Sequence, residues 1–457
     1  MRVAIVGGNA AGASAATRLA RLRPDWDIVV FERTQNVSFA NCGLLYHIEG
    51  VIPERSQLFV ETAESLKAKY HLDIRLRHEV VGVNPSAHVL QVRDAASGAT
   101  MAESYDKLIL ATGSEPVRPA VPGITGQEDI VTMWTVADMD RIIQRITSGV
   151  KSVAIVGGGY VGCILSEALR QRGLSVTLIE AEAHILPFLD ADIASYAQEE
   201  MVSHGVALHV GDTVQGFTPT QGGGQQLLLQ NGVRLQADLV VLAAGVRPNA
   251  HLAQDAGLAI GETGGVLVGP NLRTSDPDIY AVGDAIEVSH AVTGQHMTMA
   301  LAGPAHRQAR IVADNVAGLG EGWEEHYTGT QASMVAKLWQ ITAGATGANS
   351  AQLQRRGIAF RSVLIHAPSH ASYYPGAFPV HIKLLFGTDG RILGGQAAGR
   401  DGIAKRLDVV ATAIYFGGHV GDLDNLQLTY SPPISTARDA VNIAGSAAEA
   451  VLKSERR

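Results

Sequence analysis

The chain of 457 residues is long enough for about three domains with sizeable cores. A net charge of -8, without a long basic cluster, argues against nucleic acid as a partner. Two cysteines exclude a disulfide framework and fit a reducing cytoplasm, and no apolar run reaches the roughly 18 residues of a spanning helix, so a cytoplasmic protein with no membrane partner is expected.

Val3-Ala4-Ile5-Val6 is an apolar run that meets Gly7-Gly8-Asn9-Ala10-Ala11-Gly12 and then an alanine-rich helical stretch. Ile28-Val29-Val30-Phe31 follows and ends at Glu32, 20 residues beyond Gly12, with Arg33 next. This is the dinucleotide-binding pattern. The tight turn presents N–H groups at a helix N-terminus, where a pyrophosphate sits, and the acid accepts ribose hydroxyls. Asn9 stands where the strict pattern has its middle glycine. The competing reading is a strand, turn and helix packed closely for their own sake, and Glu32 tips the balance toward a nucleotide.

Cys42 comes next, within Ser38-Phe39-Ala40-Asn41-Cys42-Gly43. A thiol does redox or nucleophilic work as a thiolate, favoured by nearby donors and by a helix start, which Gly43 and Leu44 suggest. A buried, inert cysteine is the plainer alternative, but the polar and glycine neighbours argue against it. A polar helix is expected over 56–70, then strands to about 105. Leu108–Leu110 reads as a buried strand ending in Ala111-Thr112-Gly113, and Pro116, Pro119 and Pro122 mark a linker.

The pattern then repeats. Val153–Val156 runs into Gly157-Gly158-Gly159-Tyr160-Val161-Gly162, the full glycine motif, and Val176–Ile179 ends at Glu180, 18 residues past Gly162. A carboxylate there favours a free 2′-hydroxyl and repels a 2′-phosphate, so NADH is expected over NADPH. Glu182 adds to that repulsion, while Arg170 and Arg172 lie near enough to oppose it. Tyr160 reads as a packing residue, with gating of the site as the sharper alternative. Cys163, inside this helix, is expected to be structural, so one cysteine must recruit a second sulfur or an oxygen from outside. Gln221–Gly224 reads as a hairpin tip. Leu239–Leu242 ends at Ala243-Ala244-Gly245, an echo of 108–113. Two dinucleotides in one chain suggest electrons moving between them.

Ile279–Val282 leads to Gly283-Asp284, which reads either as a plain turn or, after two dinucleotide patterns, as a carboxylate that orients the ribityl chain of a flavin, and a helix is expected over 301–318. A different segment begins near 330, with strands at 361–366, 380–386 and 391–396, a helix at 402–417 and a turn at Pro432-Pro433. His370, His381 and His419 have no metal-ligand spacing, so no metal is expected. Tyr373-Tyr374 beside Pro375-Gly376, and Tyr430, are either hairpin packing or parts of a site. The expected class is α/β: two Rossmann-like dinucleotide-binding domains and a C-terminal α+β domain. The divisions fall at 1–112 with 246–323, at 113–245, and at 324–457.

Taken together these motifs resemble the single-cysteine branch of the flavoprotein pyridine nucleotide–disulfide oxidoreductases, near CoA-disulfide reductases, NADH-dependent persulfide or polysulfide reductases and NADH oxidases. The matching pieces are Gly7–Gly12, Ser38–Leu44, Gly157–Gly162, Ala243–Asn249, Ala281–Asp284, Leu301–Gln308, Tyr373–Ala377 and Tyr430–Pro433, spread over nearly the whole chain. The resemblance implies FAD held by the first unit, a nicotinamide cofactor on the second, and a C-terminal domain that forms a homodimer. It implies that Cys42 cycles between a thiol and a mixed disulfide with CoA, or a sulfenic acid in the oxidases. It also implies that Tyr373 (or Tyr374) and Tyr430 reach the cysteine from the partner subunit. Ser38, Phe39 and Asn41 match CoA-contacting positions, and Arg18 or Arg21 is placed for CoA phosphates. Relatives usually have proline and an aromatic after Cys-Gly-Leu, where this chain has Leu45-Tyr46-His47, and there is no room for an appended rhodanese domain. The expected activity is reduction of CoA disulfide, or of a CoA-linked persulfide or polysulfide, by NADH. An NADH oxidase or peroxidase is the alternative, and a non-catalytic NADH sensor is the reading from another class.

Overall fold

The computed structural model describes residues 1–318 and 324–455. The expected boundary at 323 and the last two residues lie outside that range. Two parallel sheets carry the glycine turns. In the first, the strands run in the order Ile279–Ala281, Lys107–Leu110, Arg2–Val6, Asp27–Glu32, Asp73–Leu76. In the second the order is Val206–Val210, Ser175–Glu180, Ser152–Val156, Leu239–Leu242, Ile130–Thr132. Strands such as Val3–Val6 and Val153–Ile155 are continuous apolar runs because helices or neighbouring chain cover both faces. In each sheet the glycine turn leaves the central strand and opens a helix, Ala10–Leu22 or Tyr160–Gln171. That is the topological switch point, where open α/β sheets bind ligands.

The chain passes between the two sheets twice. The crossing strands Ser114–Pro116 and Val246–Pro248 pair antiparallel, Glu115 opposite Arg247. The prolines at the edge of this two-stranded ribbon fit a connection that needs few ladder bonds.

The C-terminal unit is a five-stranded antiparallel sheet backed by the helices Ile403–Tyr415 and Ala440–Glu455. Three of its strands, Phe360–Pro368, Pro379–Gly387 and Ile392–Gly399, fall where sequence placed them. Two more, Met334–Leu338 and Ile341–Gly347, were not anticipated. The second of these, Ile-Thr-Ala-Gly-Ala-Thr-Gly, has no hydrophobic alternation. Its small residues are needed because neighbours approach closely: a Cβ on Gly344 would stand 2.6 Å from the Met334 carbonyl oxygen of the paired strand and 2.8 Å from Leu407 Cδ1 of the helix above it.

The helix expected over 56–70 is divided. A 3-10 turn spans Arg55–Leu58 and an α-helix begins only at Ala63. Thr62 starts that helix with a reciprocal capping box to Ser65, and the chain before it is extended because Val60 N–H donates to the Ser38 carbonyl. Among the described residues no helix is long and apolar enough to cross a membrane.

Candidate active site: two glycine turns and an exposed cysteine

The two turns share one backbone solution. Gly7 (φ +100°) and Gly157 (φ +115°) occupy the left-handed region, and a Cβ on either would lie 2.2 Å from a carbonyl oxygen, of Ala111 or Ala243 respectively. A Cβ on Gly12 or Gly162 would lie 1.9 Å from the carbonyl of Gly7 or Gly157. These glycines are therefore required by close approach. Glu32 accepts from Gly8 N–H at 2.9 Å and Thr34 N–H at 2.8 Å; Glu180 accepts from Gly158 N–H at 2.5 Å and Glu182 N–H at 2.8 Å. Each carboxylate is buried beside its turn with lone pairs left over, as ribose recognition needs.

Neither glycine-turn helix has a capping side chain or an acidic residue in its first turn. Helices elsewhere close capping boxes at Thr62, Thr135 and Asn349. Unused first-turn donors at two helix N-termini fit two pyrophosphates. A Cβ on Gly159 meets nothing within 4 Å, so that space is open to a ligand.

A cleft of about 870 Å³ runs along the first turn. Its lining includes Gly7, Gly8, Ala10 and Ala11 of the turn, Glu32 and Arg33 after the second strand, and Thr112, Gly113 and Asp284. Asp284 follows Gly283 (φ +77°), whose N–H donates to Gln308 Oε1 at 2.7 Å. Burial raises the Asp284 carboxyl above its ordinary value, opposed by the Ser114 hydroxyl, which donates to it at 2.8 Å. Such a carboxyl is a ready partner for ligand hydroxyls. The cleft fits an extended dinucleotide such as FAD. Ser114 carried no local signal in the sequence, since it contacts Asp284 across 170 positions.

Cys42 is exposed and precedes the helix Gly43–Glu49; Cys163 is buried, its Sγ donating to the Gly158 carbonyl at 3.2 Å. Burial, with Glu180, pushes the Cys163 thiol up, so it stays protonated. The Cys42 loop is pinned on two sides. Ser38 (φ +51°) donates its N–H to the Gly8 carbonyl at 3.0 Å, and Ala40 N–H donates to the Leu58 carbonyl at 2.8 Å. Asn9 meets the loop from the glycine turn: its Oδ1 accepts from Phe39 N–H at 3.0 Å, and its Nδ2 donates to Asn41 Oδ1 at 2.6 Å.

Two phenols lie near the thiol. Burial, then the proximity of Tyr46 and Cys42, pushes Tyr160 up to about 12. Burial, then Glu167, Glu49 and Cys42, raises Tyr46. Sequence reading named Tyr46 only within the Leu45-Tyr46-His47 departure and assigned its phenol no role, although its helical spacing of four from Cys42 marks a shared face. Val161 stands beside Tyr160 in the same first turn. Gly245 (φ +90°) starts the return crossing, its carbonyl accepting from Val117 N–H at 2.9 Å.

Tyr373 and Tyr430 meet, hydroxyl to hydroxyl at 3.0 Å, on the surface of the C-terminal unit. The hydrogen bond with Tyr373 is the main reason that the Tyr430 phenol is raised. Tyr374 instead packs edge-on against His370. Arg18 is occupied by a two-pronged ion pair with Asp314, at 2.6 and 2.7 Å. Arg21 lies exposed over the Tyr70 ring. Arg170 donates to the carbonyls of His204 and Leu174, and Arg172 to that of Ile48, so both are committed to backbone away from Glu180.

Residues 1–309 match the pyridine nucleotide-disulphide oxidoreductase family. The reduced CoADR-RHD of Bacillus anthracis superposes with a TM-score of 0.96 at 42% identity, over 99% of this chain and 81% of that one. A Methanocaldococcus jannaschii relative named NADH oxidase is 31% identical over 99% of both chains. A Pyrococcus horikoshii NAD(P)H coenzyme A polysulfide/persulfide reductase is 31% identical over 96% of both. With two glycine turns in one fold and a match over two thirds of its length, the chain belongs to the pyridine nucleotide-disulphide oxidoreductase family.

Proposed function

We propose that this protein is a homodimeric, cytoplasmic FAD enzyme that uses NADH to reduce CoA disulfide, or a CoA-linked persulfide or polysulfide, at Cys42. The observation that carries this is the pairing of one exposed thiol, tied to the first glycine turn, with a second cysteine that is buried and proton-locked. A single working sulfur must borrow its disulfide partner from the substrate. FAD in the first cleft would pass two electrons from the nicotinamide to that disulfide. Gly7, Gly8, Ala10, Ala11, Gly12, Glu32, Arg33, Ala111, Thr112, Gly113, Gly283 and Asp284 would hold it. Gly157, Gly159, Tyr160, Val161, Gly162, Glu180 and Gly245 would hold the nicotinamide cofactor. Glu180 and Glu182, with Arg170 and Arg172 turned away, favour NADH.

Cys42 thiolate attacks CoA disulfide, forming a mixed disulfide and releasing one CoA thiolate. Two electrons then split the mixed disulfide, regenerating Cys42 thiolate and releasing the second CoA thiolate. Each departing thiolate takes a proton, so NADH, one further proton and CoA disulfide yield NAD+ and two CoA thiols. The Tyr373–Tyr430 pair of one subunit serves Cys42 of the other, donating to the leaving sulfur. Ten of the exposed large hydrophobic side chains, including Tyr415, Phe416 and Ile434, belong to the C-terminal unit, which supports a subunit interface there. Ser38, Phe39 and Asn41 flank the CoA thiol end, and Arg21 is the freer of the two candidate phosphate contacts.

Anaerobic NADH consumption with CoA disulfide, with polysulfide and with no acceptor tests this in wild type and Cys42→Ser. Cysteine-dependent turnover of CoA disulfide is the expected result. Turnover with polysulfide alone would move the substrate to sulfane sulfur. Activity only in air would establish the oxidase reading, which the Methanocaldococcus relative's name favours.

A further inference from the structure

An asparagine that precedes a helix ordinarily folds its amide back onto the first-turn N–H groups. Asn9 has the extended backbone of such a position (φ -105°, ψ 176°) but makes no capping bond. Both ends of its amide reach across to the cysteine loop instead: Oδ1 to Phe39 N–H, and Nδ2 to Asn41 Oδ1, the residue before Cys42. The second unit shows what is left without this side chain. There the loop after the second strand meets the glycine turn through Leu186 N–H on the Gly158 carbonyl, at 2.8 Å, with no side chain of the turn reaching it among the described residues. The first unit keeps the equivalent bond, Ser38 N–H to the Gly8 carbonyl at 3.0 Å, and adds the two from Asn9.

We infer that Asn9 is a positioning residue for Cys42: it replaces the middle glycine of the motif in order to tie the redox loop to the turn that carries the pyrophosphate. The opposite side of the loop is fixed by Leu58, whose carbonyl takes Ala40 N–H and whose Cδ2 would lie 3.0 Å from a Cβ on Gly43. Asn9 is therefore the turn-side half of a two-sided clamp on residues 38–43. The thiol itself is left exposed and its place is set by backbone on either side. This rests on Cys42 being the working sulfur.

The test reads the thiol directly. Cys163 is buried, so iodoacetamide alkylation of the folded holoenzyme reports Cys42. Asn9→Ala and Asn41→Ala should each accelerate alkylation by about twofold to tenfold, the range a lost hydrogen bond of this kind commands. The double variant should react no faster than Asn9→Ala, because the one bond that Asn41→Ala removes is already lost in Asn9→Ala, which loses the Phe39 bond as well. Asn9→Gly, which restores the strict motif, should keep FAD and react as fast as Asn9→Ala. Rates that multiply in the double variant, or an Asn9→Gly holoenzyme that reacts like wild type, would overturn the inference. If the Asn9 variants fail to fold or lose FAD, Asn41→Ala stands outside the turn and carries the test; a wild-type rate there overturns it. Retained turnover in Cys42→Ser would instead sink the functional reading and leave the clamp intact.

Discussion

The two glycine-turn units solve one problem with nearly the same atoms. Gly7 and Gly157, Gly12 and Gly162, Glu32 and Glu180, even Asp106 and Asp238 at the foot of each sheet, make matching contacts. They differ at the middle of the turn and in the loop that follows the second strand. In the second unit Gly159 leaves open space and the loop carries Pro187 and Phe188. In the first, Asn9 fills the place and reaches a loop that carries Cys42. In the proposed reading the shared parts would serve phosphate and ribose, which both cofactors have. The chemistry that distinguishes the halves lies in the parts that diverge.

The sharpest way to break the comparison is at the two cysteines. Cys42→Ser should reduce disulfide turnover by a factor of 10³ or more, on the order of 4 kcal/mol of transition-state stabilisation, while Cys163→Ala should leave it within about threefold. Equal losses in the two steady-state assays would remove the distinction between halves. Next come the glycines. Gly157→Ala places a Cβ 2.2 Å from the Ala243 carbonyl in a left-handed backbone, and should cost on the order of 3 kcal/mol in denaturant unfolding. Gly159→Ala has room and an ordinary backbone (φ -74°), so stability should change by about 0.5 kcal/mol or less. It fills the space proposed for pyrophosphate, so the NADH KM should rise by about tenfold or more. A Gly159→Ala enzyme with wild-type KM would place the cofactor elsewhere.

How much of this was legible in the sequence follows from the range of the interactions. Both glycine turns, their acids and Cys42 are local patterns, and the close approaches that require Gly7 and Gly157 are built within one strand–turn–helix unit. The strand Ile341–Gly347 was not legible, because its small residues answer to backbone of neighbouring strands, at Met334 and Leu393, and to Leu407, none of them adjacent in the chain. Arg18, with Arg21 as the alternative, was offered as a CoA-phosphate contact alongside the resemblance; its partner Asp314, 296 positions away, left no local sign. Asn9 was read as a flaw in the motif, because the loop it holds is 30 positions on. The meeting of Tyr373 with Tyr430, across 57 positions, was suggested by resemblance and by no local pattern.

A smaller effect concerns the second cofactor. Glu180→Gln keeps one acceptor for the turn and removes the charge beside the ribose, so the ratio of NADH to NADPH efficiency should fall by about tenfold. An unchanged ratio would assign the preference to Glu182.

The smallest effect tests the matched feet of the two sheets. Asp238 accepts Lys151 and Ser152 N–H at 2.8 and 2.9 Å where the second sheet begins, as Asp106 accepts Arg2 N–H at 2.6 Å in the first. Partial burial raises the Asp238 carboxyl, but these N–H groups, the Ser152 hydroxyl and Arg145 outweigh it, and the net direction is down. A carboxyl held low in the folded state stabilises above its unfolded value, and that stability is lost as pH falls through the folded value. Asp238→Asn should therefore lower Tm by about 2 °C or less at pH 7. The gap from wild type should stay constant down to roughly pH 4 and close below it. A gap that instead widens on acidification would mean that the carboxylate is tolerated rather than used, and that the likeness between the two sheet edges is one of shape alone.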